Sequence, residues 1–319
     1  MNNFNNLVAP DENLFFHKND PNDPRMGELV GHDINLYDSA EIILLGCPQD
    51  EGVKRNHGRP GAAEAPQSIR RQFYKLPVPE GMHDQGILDV GDMKIRANLE
   101  DIHAALHDVV YQFISDKKKV IVLGGGNDIS YPDAKALSRF APNLVAFNID
   151  AHFDVRADEP RNSGTPYRQL LEETHVYPDH FYELGFQPLA NSVTYKNYLI
   201  QKGVHICSLK EFHAAGVQRT CLDILKNIST EAIFWGFDVD SVRASDAPGV
   251  SAPSPLGLSA TNACDIAALA GADPRSRIFE ITEVNPVYDI DNRTSKLAAL
   301  MVLHFIMSHI KQECNAKQD

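Results

Sequence analysis

The chain has 319 residues, with 30 Lys+Arg against 43 Asp+Glu for a formal charge of −13, and it is 43% hydrophobic and 23% charged. That balance is ordinary for a globular chain with a sizeable core, and it excludes a disordered, collagen-like or disulfide-framework protein. The acidic excess argues against a nucleic-acid binder or a ligand of anionic membranes, both of which need a basic face.

No stretch reaches the ~18 consecutive apolar residues of a membrane span. The opening MNNFNNLVAPDENLFF has no basic segment followed by an apolar one, so no signal peptide is evident. The five cysteines, Cys47, Cys207, Cys221, Cys264 and Cys314, are scattered and form no CxxC. They read as reduced thiols of a cytoplasmic protein, with a redox-sensitive couple as the alternative. Residues 1–40 are polar and broken by DPNDPR at 20–25, and read as an N-terminal arm packing on the core. Residues 41–319 show no linker, repeat or low-complexity tract and read as one domain.

From residue 41 onward one theme recurs: a short apolar run, a Gly/Asp/Asn-rich turn, then a helical pattern. The runs at 42–45, 120–123, 144–149, 204–207, 232–237 and 277–281 are rich in Ile, Val and Phe and do not alternate, as expected of strands covered on both faces. Helical patterns fill 98–116, 195–202, 218–227, 261–271 and 294–311, the last with a stripe at Leu297, Leu300, Leu303 and Met307. Alternating strands and helices predict an α/β fold, a parallel sheet between two helical layers. Ligands of such sheets sit beyond the carboxyl ends of the strands.

Those ends are rich in carboxylates. After 144–149 comes Asp150-Ala-His152-Phe-Asp154, whose alternate residues project to one side of an extended chain. After 232–237 comes a second pair, Asp238 and Asp240. Four carboxylates and an imidazole brought together would repel one another strongly without a cation, and they suit Mn²⁺, Zn²⁺ or a similar ion, so a binuclear metal site is the favoured reading. The turn Gly124-Gly125-Gly126 lacks the spacing of either common nucleotide-binding glycine motif.

NIDAHFDVR (148–156) and FDVDSVRASDAPGVSAPSP (237–255) resemble the metal-binding motifs of the ureohydrolase family, the arginases, agmatinases and formimidoylglutamases. GCPQDEGVKRNHGRPGAAEAP (46–66), GGGND (124–128) and ITEVNP (281–286) match the same family in order. Within it the likeness is greatest to formimidoylglutamases, through DVR, NSGTP and VRASDAPGVSA. The resemblance implies a three-layer α/β/α arginase-like domain with a largely parallel eight-stranded sheet, two Mn²⁺ per subunit, and a trimer or hexamer. By position, Asp150, His152, Asp154, Asp238 and Asp240 match the metal ligands. A sixth, normally histidine, is Asn127 here, a neutral carboxamide expected to hold its ion more weakly.

Tyr167 stands where arginases have a proton-shuttling histidine, which puts that relay in doubt. Arg156 replaces an asparagine near the substrate's α-carboxylate, and Arg243 replaces an aspartate. Two arginines suit a dicarboxylate substrate better than a cationic one, and Ser163 and Thr165 are candidates for hydrogen bonds to it. The implied reaction is N-formimidoyl-L-glutamate plus water to L-glutamate and formamide, a step of histidine degradation. In it a metal-bridging hydroxide attacks the formimidoyl carbon, Asp154 acts as general acid, and Glu283 pairs with the cationic formimidoyl group. The alternatives are an amidinohydrolase releasing urea from agmatine, guanidinobutyrate or arginine, and a metal-poor, non-catalytic member. The only partner expected besides further copies of the chain is a small-molecule substrate.

Overall fold

The computed structural model describes residues 3–82 and 86–316, with backbone alone over 314–316. In order the elements are β1 (Leu7–Val8), α1 (Met26–Leu29), β2 (Ile42–Gly46), α2 (Glu51–Arg55), α3 (Ala65–Phe73), β3 (Ile87–Met93), α4 (Leu99–Ser115), β4 (Lys119–Leu123), α5 (Ser130–Phe140), β5 (Val145–Ile149), α6 (Pro166–Glu172) and β6 (Phe181–Phe186). There follow α7 (Val193–Lys202), β7 (His205–Ser208), α8 (Leu209–Ala215), α9 (Val217–Asn227), β8 (Ile233–Asp238), α10 (Ala260–Ala272), β9 (Ser276–Thr282) and α11 (Arg293–Ala316).

The strands form one sheet in the order β1-β3-β2-β4-β9-β8-β5-β6-β7. Eight run parallel, and the two-residue β1, from the N-terminal segment, adds antiparallel to β3 through Leu7–Met93 and Val8–Asp92. The expected eight-stranded sheet is therefore present with a ninth strand at its edge. Alternate strand residues feed opposite layers. Ile42, Leu44, Phe147, Trp235 and Phe279 pack toward α3, α10 and α11, while Ile43, Leu45, Ala146, Phe234 and Ile278 pack toward α4 and α5. The N-terminal segment lies on this core through Phe4 against Tyr37 and Phe15 stacked on Tyr74.

The stripe of α11 holds at Leu297, Leu303 and Met307, which pack on the core, and fails only at Leu300, which is 38% exposed. The buried face is wider than expected and also takes in Ala298, Met301, Val302, Phe305 and Ile306, because α11 crosses α10 so closely that a Cβ on Gly271 would stand 2.0 Å from the carbonyl oxygen of Phe305. Cys47, Cys207, Cys221 and Cys264 carry free thiols, and the side chain of Cys314 lies outside the described residues. Among the described residues no helix is long and apolar enough to cross a membrane.

Candidate metal centre

The four adjacent strands β4, β9, β8 and β5 end at one place, and the residues just beyond them build the site. Asp150 caps the turn after β5, with Oδ1 accepting from the His152 amide at 2.7 Å. Asp238 does the same after β8, accepting from the Asp240 amide at 2.8 Å. His152 Nδ1 lies 3.0 Å from Asp240 Oδ2 and 3.5 Å from Asp150 Oδ1. Two groupings bring ligand atoms within 4.8 Å of one another, Asp150–His152–Asp240 and Asp150–Asp154–Asp238, with Asp150 common to both. Two trios sharing one carboxylate are the arrangement a bridged pair of cations requires.

The electrostatics fit that use. Among the described residues no lysine or arginine forms an ion pair with these carboxylates, and Asp240 Oδ1 is buried without a partner. Burial, then the charge of Asp240, pushes Asp150 up to about 6. Burial, then Asp150, pushes Asp154 up to about 7, and burial with Asp240 and Asp150 drives Asp238 well above the carboxylate range. Asp240 and Asp150 push His152 up to about 12, against the effect of its burial. A site that must hold protons to lower its own repulsion is one that divalent cations relieve by replacing them. Oxygen donors with one imidazole suit Mn²⁺.

Asn127 follows the glycine turn. Its Nδ2 lies 2.7 Å from Asp154 Oδ2 and 3.4 Å from Asp150 Oδ2, while Oδ1 lies 2.9 Å from Thr282 Oγ1 and 3.1 Å from Ser130 Oγ. The turn itself is no phosphate cradle, because Gly124 N–H bonds Ile281 O and Gly126 N–H bonds Gln49 O. A Cβ on Gly125 would stand 1.7 Å from the carbonyl oxygen of Gln49, so only glycine lets the two loops approach. Glu283 enters from β9 and accepts from the Asn127 amide at 3.0 Å, and burial pushes its carboxyl well up. Asp154 at φ 44° and Glu283 at φ 63° both hold left-handed backbone, strain of the kind retained where side chains must be aimed.

A cavity of about 520 Å³ opens over these groups, lined by Asp154, Asp238, Asp240 and Glu283 together with Arg156, Ser163, Asn56, His57 and Arg59, the last donating to Ser251 O and Val250 O. The Arg156 side chain is exposed there and has no hydrogen-bond or ion-pair partner among the described residues, although its charge reaches Asp154. Ser163 Oγ accepts from Asn56 Nδ2 at 3.0 Å, leaving its own proton to donate. Two expected substrate contacts lie elsewhere. Thr165 is folded into its own loop, donating to Asn162 O at 2.9 Å and accepting from Asn162 N at 3.1 Å. Arg243 turns to Asp246 at 2.9 Å, outside the cavity, because that carboxylate also caps α10 through the Ala260 amide. Tyr167 is fully buried, stacked on Phe181, and does not line the cavity.

Sequence reasoning missed Asn191, which donates to Ala151 O at 2.8 Å and accepts from Phe153 N at 2.9 Å. It thereby grips the backbone on both sides of His152. Asn56 and His57 lie inside the 46–66 motif, but nothing in their spacing separates them from its other polar residues.

A sequence profile of the arginase family matches residues 40–308. A formimidoylglutamase of Rhodococcus jostii (strain RHA1) is 31% identical over 295 residues, covering 86% of this chain and 89% of the relative. The crystal structure of Trypanosoma cruzi formiminoglutamase with Mn²⁺ superposes with a TM-score of 0.84 at 32% identity, covering 90% of this chain and 98% of that one. That of formimidoylglutamase from Bacillus subtilis gives 0.85 at 28% identity, covering 92% and 93%.

Proposed function

The chain belongs to the arginase family, and from that premise we propose that it is a binuclear-metal hydrolase converting N-formimidoyl-L-glutamate and water to L-glutamate and formamide. The observation that carries the choice of substrate is Arg156, a guanidinium that has no hydrogen-bond or ion-pair partner among the described residues, in a cavity whose other arginine, Arg59, is already held by Ser251 O and Val250 O. A cationic guanidino substrate would be repelled there, whereas a dicarboxylate gains a charge-assisted, bidentate partner. Ser163, with its free proton, adds a donor beside it.

Asp150, His152, Asp154, Asp238 and Asp240 would hold two Mn²⁺, with Asn127 a weaker, neutral ligand. Ions held there would supply hydroxide near neutral pH by lowering the pKa of a bound water. Glu283, oriented by the Asn127 amide, pairs with the cationic formimidoyl group, whose charge favours the ionised carboxylate. As the carbon gains oxygen, its bond to the glutamate nitrogen breaks. Asp154 takes the proton of the newly added hydroxyl and hands it to that nitrogen, which leaves as the amine of glutamate. The formimidoyl carbon leaves as formamide with its own nitrogen and the new oxygen. We place this enzyme in the cytoplasm, as a homo-oligomer.

The test is release of glutamate by Mn²⁺-loaded protein, with agmatine and arginine alongside for urea. Glutamate without urea is expected. Asp154→Asn is expected to lower kcat by ~10²-fold or more with KM little changed, and Arg156→Gln to raise KM by roughly tenfold or more. Urea from either guanidino compound would overturn the substrate. Silence on all three from protein that holds Mn²⁺ would overturn the reaction.

A further inference from the structure

Behind the metal centre a hydrogen-bonded chain leads from Asn127 into the interior. Glu280 and Thr282, two apart on β9, share the face of the strand turned toward α5, and Ser130 opens that helix. All three are buried. Ser130 Oγ bonds Glu280 Oε1 closely and also lies 3.1 Å from Asn127 Oδ1, with Thr282 Oγ1 2.9 Å from the same oxygen. On the far side, among the described residues, Glu280 Oε2 and both oxygens of Asp133 have no other hydrogen-bond partner. A proton between Glu280 Oε2 and one Asp133 oxygen joins the two carboxyls and leaves Glu280 Oε1 as an acceptor.

A serine hydroxyl has one hydrogen. Given to Glu280, it leaves Ser130 able to meet Asn127 only as an acceptor. An amide oxygen facing it at 3.1 Å sets lone pair against lone pair, whereas an amide NH₂ in that place donates. A half-turn about the last side-chain bond exchanges the two ends of a carboxamide without changing its shape. The Thr282 hydroxyl can serve either end. The same half-turn carries Oδ1 to the side of Asp150 and Asp154, where it would face bare carboxylates without a cation but coordinates one when it is present.

We infer that Ser130, its only proton given to Glu280, is the positioning residue that turns the carbonyl of Asn127 toward the cation position, so that Ser130 and Glu280 set the affinity of the ion on that side without touching it. The inference rests on the two-ion reading above. It also accounts for a carboxamide serving where the family usually has histidine: the hydroxyls behind it supply the acceptors that hold it the right way round.

The test is Mn²⁺ binding, followed by the EPR signal of the free ion and of the loaded pair. Wild type is expected to bind two ions per chain, one more weakly. Ser130→Ala is expected to raise the dissociation constant of the weaker ion by roughly tenfold or more, the usual cost of losing an outer hydrogen-bond partner. The tighter ion should be unaffected, which also reports an intact fold. Glu280→Gln, which still accepts from Ser130 through Oε1, should bind like wild type, while Glu280→Leu, which frees Ser130 to donate, should weaken the same ion and serves if Ser130→Ala does not fold. In an Asn127→Ala background the Ser130→Ala effect should vanish, which a merely structural role would not produce. Two ions in wild type with no weakening in Ser130→Ala, or the same weakening without Asn127, would overturn the inference. Failure of wild type to bind two ions would instead overturn the metal reading on which it rests.

Discussion

Asp133 is enclosed by the α5 layer, and burial, partly offset by its hydrogen bond with Glu280, pushes it up to about 7. Its folded pKa lies above the unfolded value of 3.8, so the folded state keeps a proton that the unfolded chain has already released. The contribution is fully present below about pH 4 and is lost as the pH rises through about 7. Asp133→Asn copies the protonated form and does not titrate. The stability of wild type should therefore fall relative to that of Asp133→Asn between pH 4 and 7, measured as urea midpoints of the two proteins. The buried carboxyls other than Glu280 are common to both and cancel in the difference, while Glu280, which Asp133 helps to raise, titrates with it as a pair. Parallel pH profiles would show that Asp133 does not hold its proton in the fold.

The same kind of burial, resolved differently, fastens α3 to β3. Arg70 grips Asp89 through two nitrogens, at 2.7 and 2.9 Å, donates to Gly91 O at 2.8 Å and reaches Asp92 at 2.5 Å, with Tyr74 closing on Asp89. Arg70→Met fills the space but strands the Asp89 charge, and should cost about 3–5 kcal/mol in denaturant unfolding. Asp89→Asn in the Arg70→Met background should recover much of it. A loss below about 1 kcal/mol would mean that Asp89 finds another partner. This pair also shows why β3 was illegible. Its sequence, ILDVGDM, carries two aspartates and a glycine that read as turn chemistry until an arginine 19 residues away neutralises one of them. β6 hid in the same way, since Glu183 and Gly185 interrupt FYELGF, and it is Asn148, from the neighbouring strand, that answers the glutamate. The six strands that were legible are those whose apolar runs need no partner to explain them. The metal ligands were legible because a period of two at a strand end is local. Asn191 and the Asn56–Ser163 pair, 107 residues apart, become neighbours only through the order of the sheet.

Across the whole molecule, that sheet order gathers carboxylates at one end of β5 and β8 in a chain already at −13. The arrangement opposes folding without cations, and it is what suits the cluster to the two-ion site proposed for it. Asp238→Asn separates the two consequences, because the carboxamide still accepts from the Asp240 amide but carries no charge. Without ions above pH 7, Asp238→Asn should melt at or above the wild-type temperature, since burial beside Asp240 and Asp150 already drives Asp238 well up. With Mn²⁺ at a hundredfold excess over the dissociation constant, each bound ion should stabilise wild type by ~2.7 kcal/mol, or roughly 4 °C for a chain of 319 residues. Asp238→Asn should gain much less, so the two melting curves exchange order as Mn²⁺ is added. Chelation should restore the original order. If ion-free wild type is already the more stable of the two, or if Mn²⁺ moves both equally, Asp238 is held by something other than a cation.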